Sequence, residues 1–354
     1  MSPTARWLAI AVPVGLAATA VAVALIADDD RADGDAGAAR AVRWTALPPS
    51  PSARTEVGAA RVGRSIYVVG GFVPPDLSTT DEVARYDVAS GAWSPVAPLP
   101  IAVNHPAVAA GASRCGGGVY VYGGYSANGA LSAEVDALQR FDPGTRTWTV
   151  LPGSGVPRGA ATLVPVGCSL YAIGGVSAGA PQRLVQVFDI GRGVWRLGPS
   201  MRVAREHLAG VAIGRRVIVF GGRSSGHNLA VAESLDTKSG KWSRLPSVPT
   251  PRSGFGAAVI RGSAAVVGGE QLAEGTSTIA PVEALDPRTR RWRRLPSMLT
   301  PRHGLGVVSL GPRLFAVDGG PRPGGTYSDA LETLRVPARL LPRAGGRFRQ
   351  KGPG

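Results

Sequence analysis

The chain has 354 residues, with 39 Lys plus Arg against 24 Asp plus Glu and a formal net charge of +15. A hydrophobic content of 44% excludes a generally disordered chain, while 49 glycines and 30 prolines predict many tight turns. Five of the positive charges (Arg339, Arg343, Arg347, Arg349, Lys351) sit in the C-terminal tail and the rest are scattered, with no basic helix or aromatic-basic block, so no nucleic-acid partner is expected.

Residues Trp7 to Ala27 form an uncharged run, about 31 Å long as a helix, enough to cross a hydrocarbon core. It predicts an uncleaved signal anchor over 1–27. Ala22-Val23-Ala24 leaves open a cleaved signal peptide and a secreted product. Either way the remainder is expected outside the cytoplasm. Arg6 precedes the run and Arg31 and Arg40 follow it, so the flanking charge does not itself dictate orientation. An acidic linker over 28–41 leads to the folded region.

From residue 42 the chain repeats. A Gly-Gly pair ends a short apolar, β-branched or aromatic run six times: Gly70-Gly71, Gly123-Gly124, Gly174-Gly175, Gly221-Gly222, Gly268-Gly269 and Gly319-Gly320. Such runs read as buried strands. After each of the first five pairs an aspartate precedes a tryptophan by six residues: Asp87 and Trp93, Asp142 and Trp148, Asp189 and Trp195, Asp236 and Trp242, Asp286 and Trp292. This predicts a hairpin whose Asp side chain caps the turn and whose Trp packs toward the neighbouring blade. The sixth repeat has Arg335 at the Asp position and no Trp after it. Arg43-Trp44-Thr45-Ala46-Leu47-Pro48 matches Arg291-Trp292-Arg293-Arg294-Leu295-Pro296, so Trp44 is expected to supply the last strand of the last repeat.

Over residues 42–337 this pattern resembles the kelch repeat. The resemblance implies an all-β, six-bladed β-propeller, each blade with strands a to d from the axis outward, closed by the N-terminal strand. The basic segment 338–354 is expected to be disordered. In that family the d–a and b–c loops share one face. Here the d–a loops carry Arg54, Arg158, Arg205, Arg252 and Arg302, with Asn104 in the equivalent place of the second blade. Arranged as a ring, these arginines would bind carboxylates, sulfates or phosphates at the channel mouth; alternatively they belong to the repeat frame and bond local carbonyls.

His105, His207 and His303 fall in the same loops, and His227 in a b–c loop. No His or carboxylate set with metal-ligand spacing is visible, so neither metal nor cofactor is expected. Glu206 is the candidate general base, with a local ion pair as its alternative role. Two G-x-S-x-G matches, at 175–179 and 222–226, run from the repeat glycine into a loop and lack the strand–turn–helix of a hydrolase elbow. Cys115 and Cys168 fall in a–b turns of adjacent blades and predict either a disulfide or two buried thiols.

The expected function is a non-catalytic, monomeric, extracytoplasmic binding propeller that recognises a protein, glycan or cell-wall ligand, with an anionic glycan suited to the arginine ring. The alternative is a mutarotase or epimerase of sialic-acid-like sugar acids, which the resemblance to exported six-bladed kelch propellers implies.

Overall fold

A computed structural model describes residues 41–272 and 276–341; the expected signal anchor, nearly all of the acidic linker and residues 342–354 lie outside them. The short β-branched runs form six four-stranded antiparallel sheets, each beginning in sequence with an innermost strand: Gly58–Val62, Ala107–Ala110, Thr162–Val166, Ala209–Ile213, Gly256–Ile260 and Gly306–Leu310. Between neighbouring sheets lie the apolar clusters. One joins blades four and five through Phe220, Phe255 and Leu285. Another joins blades six and one through Phe315, Val57 and Tyr86.

The last blade is completed from the other end of the chain. Trp44–Leu47 pairs antiparallel with Leu331–Arg335, with Trp44 opposite Leu334. Trp292 stands opposite Leu285 in the same register of blade five. Trp44 is 1% exposed and donates from Nε1 to the Pro296 carbonyl at 2.9 Å. Every blade repeats this bond to its predecessor: Trp93 to Pro48, Trp148 to Ala97, Trp195 to Pro152, Trp242 to Pro199 and Trp292 to Pro246. The other five indoles are only half-buried, so their burial stabilises less than that of Trp44.

The Asp caps form as expected. Asp236 Oδ1, for example, accepts from the Lys238 and Ser239 amides at 3.0 and 3.1 Å, and Gly240 takes the positive φ of +71°.

One repeat boundary differs from the sequence reading. The second glycine of each pair has φ near +90 to +105°, and its amide bonds the carbonyl at the arginine position of the next blade. A Cβ on Gly71 would meet the Thr55 carbonyl oxygen at 2.5 Å. Only glycine fits there. In the last blade that place belongs to Gly319, whose amide bonds the Arg54 carbonyl at 2.8 Å. The first place, whose φ lies in the ordinary left-handed region that a side chain can adopt, is therefore Asp318 at φ +54°. The pair is Asp318-Gly319, not Gly319-Gly320.

By the same register Val103, not Asn104, holds the arginine position of blade two: its carbonyl accepts from Gly71, as that of Arg158 does from Gly124. The folded chain also continues past 337. Leu341 is fully buried in the cluster of blades five and six, and Leu340 packs against it, so the first residues assigned to the tail belong to the fold.

Cys115 and Cys168 are joined in a disulfide, with Cα atoms 5.6 Å apart. Among the described residues no helix is long and apolar enough to cross a membrane.

Candidate functional site at the channel mouth

The five arginines do not ring the mouth. Arg54, Arg158, Arg205, Arg252 and Arg302 are all 0% exposed. Arg252 donates to the carbonyls of Gly268 and Pro281 at 2.9 and 3.1 Å and to Glu283 at 2.8 Å. Arg158 does the same with Gly174, Leu184 and Gln186. Arg205 pairs with Glu233 at 3.1 Å and Arg302 with Glu332 at 3.3 Å. Burial lowers Arg205 and Arg252 to about 10. Blade one has Ala84 at the carboxylate position, and Arg54 instead meets Asp318 at 3.2 Å, which also accepts from Ser50 Oγ at 2.5 Å. These side chains hold the b–c corner of every blade but the second; they are not placed to touch a ligand. The predictive signal was the acid or amide three residues before the turn position, as in Glu233, Glu283 and Glu332.

The residues that face the channel are their neighbours. Two positions after each arginine, a hydrogen-bonded circle of backbone closes the waist. His105 N donates to Glu56 O at 2.9 Å, Ala160 N to His105 O at 3.2 Å, and His207 N to Ala160 O at 2.9 Å. Gly254 N then donates to His207 O at 3.0 Å, Gly304 N to Gly254 O at 2.7 Å, and Val57 N to Gly304 O at 3.1 Å. All six positions have φ between +50 and +61°. Gly254 and Gly304 take that conformation freely, whereas Glu56, His105 and His207 each accept strain of about 1 kcal/mol to place a side chain there.

Above this waist is a cavity of about 280 Å³. Its floor is polar: Glu56, His105, His207, Arg223, Glu270 and His303. Its walls are apolar: Phe72, Leu77, Leu131 and Leu272. Arg223 is held by Glu206 at 2.5 Å and Glu270 at 3.0 Å, and its Nη2 lies 3.3 Å from His207 Nε2. Glu206 also contacts His207 Nδ1, so the residue expected as a general base is tied into this ion pair. His105 Nε2 is 3.2 Å and His303 Nε2 3.5 Å from the two oxygens of Glu56. Burial pushes Glu56 up to about 7. Burial, with Arg223 nearby, holds His105 and His207 well below the usual imidazole range. His227, by contrast, is exposed on its b–c loop and does not line this cavity.

The structure thus brings together His105, His207, His303 and Glu206 and leaves the arginine ring outside. It adds Glu56, Arg223 and Glu270. Arg223 and Glu270 directly follow the second glycine, where other blades carry Phe72, Tyr125, Val176 or Gly320. Charge at a position that is otherwise apolar or small was the available signal.

Comparisons with known proteins agree with this architecture. The KLHDC2/KLHL20/DRC7 Kelch-repeats domain matches residues 160–320, and the Kelch motif matches residues 53–100 and 106–155. The chain belongs to the kelch-repeat β-propeller family. It is 34% identical over 146 residues to Kelch-like protein terF of Aspergillus terreus, covering 38% of this chain and 31% of that protein. It is 29% identical over 146 residues to Kelch domain-containing protein 8B of Mus musculus, covering 39% of this chain and 40% of that protein. The chain thus spans well under half the length of these curated relatives. The solved structure of YjhT superposes with a TM-score of 0.68 at 17% identity, covering 80% of this chain and 95% of that one, a likeness of fold.

Proposed function

We propose that this chain is an extracytoplasmic binding propeller whose ligand enters the mouth of the central channel, and that the ligand is a neutral, hydroxyl-rich group such as a glycan end rather than an anion. The supporting observation is the charge balance of the cavity. Its one guanidinium, Arg223, is already met by Glu206 and Glu270, while Glu56 adds a third carboxyl group. A carboxylate ligand would have to displace one of those acids. Sugar hydroxyls can donate to Glu270 and accept from Arg223, and the apolar faces of a sugar ring suit Phe72, Leu77 and Leu131. The disulfide supports placement in an oxidising compartment, as the Trp7–Ala27 run does.

Nuclear magnetic resonance tests this reading with a panel of neutral sugars, wall-derived oligosaccharides and sugar acids. Saturation transfer from the protein to a neutral sugar or oligosaccharide is expected, with anomer exchange of the sugar acids unchanged. Accelerated exchange of a sugar acid would instead assign a mutarotase.

A further inference from the structure

We propose that the floor of the channel mouth binds one divalent transition-metal ion of the imidazole-preferring kind, zinc being the type case, through Glu56, His105 and His207, with His303 beside them. This goes beyond the proposed ligand reading and does not depend on it. One donor atom from each of the first three residues lies within 4.8 Å of the others. These residues come from three different d–a loops, so no local sequence spacing announces them.

Hydrogen-bond direction carries the argument further than distance. His105 Nδ1 meets Asn104 Oδ1 at 2.6 Å. The Asn104 amide is anchored because its nitrogen donates to Thr79 Oγ1 and the Tyr125 carbonyl. Its oxygen can only accept, so His105 donates from Nδ1 and turns Nε2 toward Glu56. His303 donates from Nδ1 to the Gly320 carbonyl at 3.1 Å and likewise turns Nε2 toward Glu56. His207 Nδ1 is held by the Glu206 carboxylate. Each ring is thus oriented through Nδ1 by a carbonyl or carboxylate oxygen, the outer-shell arrangement that fixes tautomer and direction in histidine metal sites. With the rings neutral and the carboxyl ionised, Glu56 and the Nε2 atoms of His105 and His303 face one another as acceptors, and a metal ion satisfies such a cluster in place of a shared proton. Arg223 Nη2 competes for the His207 lone pair, so ion entry exchanges that hydrogen bond for a coordinate bond.

The test uses the purified full-length chain, incubated with zinc, desalted and analysed for metal, then titrated with Co²⁺ while visible absorption is recorded. One zinc per chain and cobalt ligand-field bands are expected. His105→Ala, His207→Ala and Glu56→Gln should each weaken zinc binding at least tenfold, and His227→Ala should leave it unchanged. Zinc retained equally by the His105 and His207 variants would overturn the proposal. So would a wild-type chain that retains no zinc and gives no cobalt bands, a result that stands even if a variant fails to fold.

Discussion

Arg252 carries its charge with no solvent exposure, between the carbonyls of Gly268 and Pro281 and the carboxylate of Glu283. Truncating it leaves Glu283 buried and unpaired, so Arg252→Ala is expected to cost about 3–5 kcal/mol in urea unfolding. A loss below about 1 kcal/mol would mean that the charge is solvated and free for a ligand. Asp318 offers a pH test. Burial raises its folded value from 3.8 to about 6, against the lowering effect of Arg54. The folded state therefore holds this proton longer than the unfolded chain. Stability from this group is complete below about pH 4 and is lost as pH rises through 6. Asp318→Asn should flatten that decline in unfolding measured from pH 4 to 6; an unchanged slope would show that Asp318 ionises normally. At this scale the sequence was least legible. The spacing located every arginine, but side-chain direction depends on the acid or amide on the neighbouring strand and, in blade one, on Asp318 from the opposite end of the propeller sequence. The mouth residues Glu56, Arg223 and Glu270 were missed because they depart from the repeat frame instead of following it.

The N-terminal strand illustrates what was legible at the scale of elements. The match of Trp44 and Leu47-Pro48 to Trp292 and Leu295-Pro296 correctly placed this segment in the last blade, where it pairs with Leu331–Arg335. Trp44 is also the most buried of the six repeat tryptophans, and its indole continues the series of Nε1 bonds from blade to blade. Trp44→Ala should lower stability by about 3–5 kcal/mol, and deletion of 42–48 should abolish cooperative unfolding. A deletion variant with unchanged stability would place the closure elsewhere. The glycine pair of this blade was misread by one residue because two adjacent positive-φ positions differ in what they tolerate. The first accepts aspartate, the second only glycine, and Gly320 happens to follow.

For the molecule as a whole, the repeat spacing contained the blade number, the closure and the family. It did not contain the working face in detail, since a channel mouth is assembled from residues about fifty apart whose side chains meet only after the ring closes. The Cys115–Cys168 bond links blades two and three across a separation of 53 residues and is worth about 4 kcal/mol in the chain-entropy model. The purified, oxidised protein should resist iodoacetamide in denaturant until reduced. Labelling of both thiols without reductant would contradict the bridge and weaken the extracytoplasmic assignment.

The central claim, that the channel mouth is the binding face, is tested most directly by filling it. Ala130 lines the cavity from an exposed rim position, so Ala130→Trp occupies the mouth without disturbing a blade. Calorimetric titration with an oligosaccharide that binds the wild type should show binding to this variant lost at unchanged folded stability. Undiminished binding would place the working face elsewhere on the propeller.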